Sequence, residues 1–189
     1  MLSLPSYLAG KAVTTDDWID VFNPYSNQQV GRVAAIGRDH LEAAIQAHLV
    51  PAELLTRYER SRILNQTRDL LDARREEFAQ LITAEAGLCL KETRYEVGRA
   101  CDVFAFAAME ALRDDGQTFS CDISATGKAR KIFTLREPLS LIAAITPFNH
   151  PLNQVAHKLA PAIAAGAPVI LKPSEKTPLT AVRLVELLY

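Results

Sequence analysis

The chain has 189 residues, 49% of them hydrophobic and 23% charged, the balance of a soluble domain that buries a core, which excludes a disordered tail. Lysine and arginine total 21 and aspartate and glutamate 22, a formal net charge of -1, so the basic surface needed for nucleic acid or an anionic membrane is not implied. The most apolar run, Leu139 to Ile145, is too short to span a bilayer, and the opening MLSLPSYLAG lacks a basic start followed by a long apolar core, so a cytoplasmic protein with no membrane partner is expected.

From Tyr7 to Ile36 the sequence offers short β-type pieces, around Trp18 to Phe22 and Gln29 to Ala35, punctuated by Gly10, Asn23-Pro24 and Gly31; these are expected to form a leading arm. A first helix is predicted over Arg38 to Leu49 from Leu41, Ala44, Ile45, Ala47 and Leu49, with Pro51 ending it. Between Thr56 and Ala86, Ile63, Leu64, Leu70, Leu71, Phe78, Leu81 and Ile82 recur at helical spacing, and Gly87 is placed for a C-terminal cap; one long amphipathic helix is predicted. A second long helix, Lys91 to Leu112, is richer in alanine and aromatics (Phe104, Phe106) and is expected to be more deeply buried, with Asp114-Asp115-Gly116 as its stop.

Thr118 to Ile123 and Lys131 to Leu135 are β-rich runs separated by Ser124-Ala125-Thr126-Gly127, an expected antiparallel hairpin with an exposed or subunit-facing character. Leu139 to Ile145, bounded by Pro138 and Pro147, reads as a strand buried on both faces. Pro151 to Ala165 is helical and ends at Gly166, and Pro168 to Leu171 is again a buried strand; together they predict a right-handed βαβ unit. Thr177-Pro178 is read as an N-cap with proline at the first helical position of a last helix. Two parallel strands do not make a covered sheet, so the C-terminal part reads as a fold cut short.

Both strands of the βαβ unit run into polar, turn-forming segments, 146–151 and 172–178. In open α/β sheets ligands bind outside the carboxyl ends of the strands, so these segments face one crevice. Asn149 can present an amide donor to a developing oxyanion, and Lys172 and Glu175 can grip neighbouring ribose hydroxyls. Taken singly, Asn149 is also an ordinary turn residue, Lys172 and Glu175 an ordinary solvated pair, and Arg99 an ordinary partner for a salt bridge. Neither G-x-G-x-x-G nor G-x-x-x-x-G-K-[ST] occurs. Cys89, Cys101 and Cys121 form no C-x-x-C, so reduced thiols are expected and neither a disulfide framework nor a metal site.

At these residues the sequence resembles the aldehyde dehydrogenase superfamily. The resemblance runs almost unbroken through REPLSLIAAITPFNHPLNQVAHKLAPAIAAGAPVILKPSEKTPLTAVRLVELL, Arg136 to Leu188, and extends to Phe22-Asn23-Pro24, to YERSRILNQTRDLLDARREEFAQLITAEAG and to Arg130-Lys131-Ile132-Phe133. It implies the N-terminal part of that α/β fold: arm and cofactor-domain helices over 1–117, an antiparallel oligomerisation ribbon over 118–135, and the first part of a parallel, Rossmann-like NAD-binding sheet over 136–189. The resemblance gives Asn149 the oxyanion-hole donor, facing the adduct formed when a cysteine thiolate attacks an aldehyde. It sets Ile145, Thr146, Pro147 and Phe148 beside the nicotinamide ribose, and Lys172, Pro173, Ser174 and Glu175 at the adenine ribose, where the acid favours NAD over NADP. It also implies a homodimer or homotetramer.

The family's glycine-rich turn, general-base glutamate and nucleophilic cysteine have no match here, so the chain by itself is not expected to turn over an aldehyde. His150 stands where the family usually carries an aromatic, and Arg99 falls in the helix that lines the family's substrate tunnel. Two potential cations suit an anionic aldehyde. Glu96-Val97-Gly98-Arg99 with Pro147-Phe148-Asn149-His150-Pro151 resembles the phosphonoacetaldehyde dehydrogenase branch, with succinate semialdehyde or another small acidic aldehyde as the alternative. A reading of another class is a short, non-catalytic nucleotide-binding or assembly protein that uses the ribbon.

Overall fold

In the computed structural model, which describes residues 1–49, 54–113 and 116–189, the N-terminal β-pieces do more than form an arm. β1 (Leu2–Leu4), β2 (Ser6–Leu8), β3 (Lys11–Val13), β4 (Trp18–Phe22) and β5 (Gln29–Ala34) come first; β4 pairs antiparallel and β1 parallel with β5, giving the order β1-β5-β4, while β2 and β3 form a separate hairpin. One side of that sheet buries Leu4, Val21 and Val33 against Leu179 and Val182 near the C-terminus. The arm therefore belongs to the core, because its alternating apolar positions require a partner surface.

Helix α1 (Arg38–Leu49) has the expected bounds; the role given to Pro51 lies outside the described residues. The single helix expected from Thr56 to Ala86 is two, α2 (Arg57–Ala73) and α3 (Arg75–Ala86). Thr56 opens α2 with a capping box, its Oγ1 accepting from Glu59 N at 3.2 Å and Glu59 Oε2 accepting from Thr56 N at 2.8 Å. The break falls at Arg74, φ -106° and ψ 20°. Ion pairs bracket it, Arg74 with Glu77 and Arg75 with Asp72. Spacing did not reveal the break, because Leu71 and Phe78 are seven apart and a straight helix satisfies that interval as well.

Gly87 ends α3 in the left-handed conformation (φ 72°), as predicted for a C-terminal glycine. Its surroundings come from the distant Asn23-Pro24 turn: Asn23 Nδ2 donates to Ala84 O at 2.8 Å, and a Cβ on Gly87 would meet Pro24 Cγ at 2.6 Å. Gly87→Ala is therefore expected to lower stability by about 2 kcal/mol, read as the urea midpoint; an unchanged midpoint would show that neither the backbone state nor the close approach matters.

Helix α4 (Leu90–Glu110) is central, burying Val97, Ala100, Phe104 and Ala108 between α2, α3 and the next helix. Phe106 is exposed, since it lies two positions beyond Phe104 and a helix turns about 200° over that interval. The stop given to Asp114-Asp115 lies outside the described residues. β6 (Thr118–Ser120) and β7 (Lys131–Phe133) form the expected antiparallel ribbon, shorter than predicted and exposed throughout.

β8 (Ile142–Ile145) and β9 (Val169–Lys172) are parallel and joined by α5 (Pro151–Ala165), which Gly166 closes in the left-handed conformation. Contrary to expectation, β8 is not buried on both faces: Ala144 is buried but Ala143 and Ile145 are exposed. Helices cover only one face of the pair among the described residues, so alternate side chains face solvent. Helix α6 (Pro178–Glu186) follows with its proline at the start. The main core gathers Leu64, Leu71, Phe78, Ile82, Val97, Phe104, Leu152, Leu159 and Leu184. No helix among the described residues is long and apolar enough to cross a membrane.

Candidate active site

Parallel pairing sets Ile145 opposite Lys172, and Thr146 N extends the ladder by donating to Lys172 O at 3.2 Å. The turns that follow the two strands therefore leave the sheet side by side. Two contacts tie them together: Thr177 Oγ1 donates to Phe148 O at 3.5 Å, and Lys176 Nζ lies 5.0 Å from the centre of the Phe148 ring. The structure thus brings the predicted residues Ile145, Thr146, Pro147, Phe148, Asn149 and His150 beside Lys172, Pro173, Ser174 and Glu175. Thr146 is buried, Pro173 and Ser174 are half-buried, and the others are exposed.

Lys172 Nζ lies 3.7 Å from Glu175 Oε2. The Glu175 carboxyl is held below its ordinary range, first by its own backbone amide and then by the Lys172 charge. The pair is fully solvated and contributes little to stability; its interest is that an ammonium and a carboxylate are presented together at a strand end.

Asn149 is exposed in the turn between β8 and α5. His150, the N-cap residue, has φ 52° and ψ 59° and makes no side-chain cap. Left-handed backbone is uncommon for any residue but glycine, and such residues concentrate at functional turns. The donors at the start of α5 are satisfied from elsewhere: Glu96 Oε1, from α4, accepts from Leu152 N at 2.9 Å and Asn153 N at 3.0 Å, while Glu96 Oε2 is 3.3 Å from His150 Nδ1.

The same device recurs at α6. Thr177 was expected to cap it, but its hydroxyl is spent on Phe148 O and makes no cap. Instead Glu85, from α3, accepts from Leu179 N at 2.9 Å and Thr180 N at 3.0 Å. Both glutamates are buried, 3% exposed for Glu85 and 2% for Glu96. Burial pushes the Glu85 carboxyl up to about 7, against the pull of the Thr180 side chain and of the two amides and with a further push from the Glu96 charge. Thr180 Oγ1 is buried nearby and falls outside hydrogen-bond geometry.

Sequence reasoning gave neither glutamate a role, although two signals were present. Glu85 continues the apolar stripe of Phe78 and Ile82, where a charge is costly unless partnered. In addition, Pro151-Leu152-Asn153 and Pro178-Leu179-Thr180 repeat one pattern at the two helix starts.

Arg99 lies on α4 one turn beyond Glu96, exposed and with no ion pair among the described residues. At three residues' spacing it neighbours Glu96 on the helix surface. His150 itself is half-exposed and bonded to a buried carboxylate, not to backbone. The cysteines stand apart. Cys101 is buried within α4, and burial pushes its thiol up to about 11; Cys89 precedes α4 and Cys121 follows β6. A depression of about 570 Å³ lies elsewhere, lined by Arg60, Phe106, Glu110, Arg136 and His157 among others, and includes no residue of either turn.

Residues 11–189 match the aldehyde dehydrogenase family. The chain is 38% identical over 183 residues to the 3-sulfolactaldehyde dehydrogenase of Priestia aryabhattai, covering 96% of this chain and 38% of the relative. It is 42% identical over 173 residues to the aspartate-semialdehyde dehydrogenase 1 of Pseudomonas canavaninivorans, 90% of this chain and 37% of that protein. The crystal structure of aldehyde dehydrogenase 21 from Physcomitrella patens, in complex with the reaction product succinate, superposes with a TM-score of 0.94 at 38% identity, over 99% of this chain and 40% of that one. The NADP-dependent glyceraldehyde-3-phosphate dehydrogenase of Bacillus halodurans, complexed with NADP, gives 0.90 at 31% identity, over 100% of this chain and 41% of that one. The chain thus spans about two fifths of the length of the relatives it matches. With this sequence match and this superposition joined to the paired strand-end turns, the chain belongs to the aldehyde dehydrogenase family.

Proposed function

We propose that residues 1–189 are the N-terminal part of an NAD-dependent dehydrogenase that oxidises a small acidic aldehyde to its carboxylate. The observation that carries this reading is the exposed Asn149 in the β8–α5 turn, set beside the exposed Lys172–Glu175 pair at the end of β9. The Asn149 amide donates to the aldehyde oxygen as negative charge develops on it, where a fixed donor stabilises the transition state more than the ground state. The nucleophilic cysteine and the general base belong, on this reading, to the part of the family fold outside these residues.

The Lys172–Glu175 pair suits NAD by its donor set. An ammonium donor and a carboxylate acceptor 3.7 Å apart can bridge vicinal hydroxyls. Bound there, NAD supplies the hydride acceptor. Ile145 to Phe148 form the wall next to it, and Glu175 repels a 2′-phosphate. Both NAD and NADP enzymes occur among the structural relatives, so this residue is open to test: Glu175→Gln is expected to narrow the preference for NAD over NADP, and an unchanged ratio would remove Glu175 from cofactor choice.

Within the acidic class, phosphonoacetaldehyde is our first substrate and succinate semialdehyde the alternative. Arg99, with no ion pair among the described residues, supplies a fork for the anionic group and His150 a further hydrogen bond. The named substrates of the relatives, sulfolactaldehyde and aspartate semialdehyde, support an acidic aldehyde without choosing between the two. In the complete enzyme, Arg99→Ala and His150→Phe are each expected to lower kcat/KM for the acidic aldehydes about tenfold, with acetaldehyde little affected. Equal losses on both would overturn the assignment. The exposed ribbon, with Phe119, Ile132 and Phe133 on its surface, suits contact with a second subunit in a homodimer or homotetramer.

A further inference from the structure

Among the described residues, the hydrogen bonds of the Glu96 side chain all go to the turn that carries Asn149 and to the start of α5 that follows it, the first of them at His150, 54 residues away. A helix start does not require this arrangement. Serine, threonine, asparagine or aspartate at the N-cap satisfies the first amides locally and in water, whereas a buried carboxylate is costly unless fully engaged. Here the cap residue is His150, whose side chain does not cap, and its left-handed backbone is held on one side by the Glu96–His150 contact and on the other by the Leu152 and Asn153 amides. The capping work is done from behind, by a rigid helix of the core, which leaves the turn's own side chains for the crevice. The Glu96 charge also lies against the N-terminal end of α5 and offsets its dipole, so stabilisation of a developing oxyanion falls to the Asn149 side chain.

From this geometry we infer that Glu96 is a positioning residue for the oxyanion turn. Its buried carboxylate fixes the backbone of 149–153 so that the Asn149 amide is aimed before substrate arrives. The inference rests on the oxyanion role proposed for Asn149.

The test compares Glu96→Ala, Glu96→Gln and Glu96→Asp in the complete dehydrogenase, with NAD and succinate semialdehyde. A misplacement of about 1 Å at a reacting group costs up to about a hundredfold. Glu96→Ala is expected to lower kcat about tenfold to a hundredfold per folded molecule, with KM for NAD within about twofold of wild type. Glu96→Gln keeps the accepting oxygen and is expected to recover most of kcat. Should the alanine variant not fold, Glu96→Asp keeps the charge but shortens the reach by one methylene, and should show the same loss. Unchanged kcat in folded Glu96→Ala or Glu96→Asp, in an enzyme that Asn149→Ala disables, would overturn the inference and leave the functional reading standing. Absence of any aldehyde oxidation by wild type would instead sink the functional reading. In that case the 189-residue chain still decides on Glu96: the substitutions should speed hydrogen exchange at the Leu152 and Asn153 amides and broaden the Asn149 side-chain resonances, and no change in either would refute the positioning role.

Discussion

Replacing Asn149 by alanine in the complete dehydrogenase is expected to lower kcat about a hundredfold or more, the ordinary cost of removing one oxyanion donor. The loss should appear in kcat and not in KM for NAD, because the residue sits on the β8–α5 turn while the residues proposed for the adenine ribose follow β9. Stability should barely change. Asn149 is exposed, and the caps of α5 come from Glu96, so truncating this side chain opens no cavity and orphans no helix donor. Asn149→Asp preserves size but sets a carboxylate against the developing charge, so it should be at least as damaging as alanine. If either variant turns over at the wild-type rate, Asn149 is only a turn residue.

The second large effect is a pH dependence of stability. Burial raises the Glu85 carboxyl from its ordinary 4.5 to about 7 in the folded chain. The folded state then holds the Glu85 proton over a range where the unfolded chain has released it. Stability from this group is therefore fully present below about pH 4.5 and lost as pH rises through about 7. The span is on the order of 3 kcal/mol. Glu77, held low chiefly by its hydrogen bonds to Arg74, acts in the opposite sense, its stabilisation being lost only as pH falls below the ordinary carboxylate range. Urea unfolding of wild type and Glu85→Gln between pH 4 and 8 isolates the contribution, since the neutral variant should lack the slope while keeping one oxygen for the α6 amides. Parallel curves for the two proteins would rule out a titrating Glu85. Glu85→Ala goes further, leaving the Leu179 and Thr180 amides without an acceptor at a cost of about 1–3 kcal/mol each.

The two glutamates mark how far the residues could be read in order along the chain. Helical spacing placed α1, α4 and α5, and glycines after α3 and α5 marked their ends, because periodicity and left-handed caps are local properties. The break at Arg74 escaped because seven-residue spacing is common to a straight and a broken helix. Thr177 was given the cap of α6 on local grounds, and a distant carboxylate took that role. The N-terminal arm became part of the core for the same reason: its apolar alternation announced a buried face but not that Leu179 and Val182 would cover it.

By itself the sequence determined the βαβ unit, the proline and glycine that bound its helix, and the two polar strand ends that carry Asn149, Lys172 and Glu175. Its almost unbroken resemblance from Arg136 to Leu188 also pointed to the family that the comparisons show. Only the tertiary structure decided that the two turns are tied together through Thr177 and Phe148, and that each following helix is held by a buried glutamate from α3 or α4. The physical reason is range: dihedral preference and hydrophobic period act over a few residues, whereas a carboxylate bonded to amides 56 to 95 positions away is specified only once the core has packed.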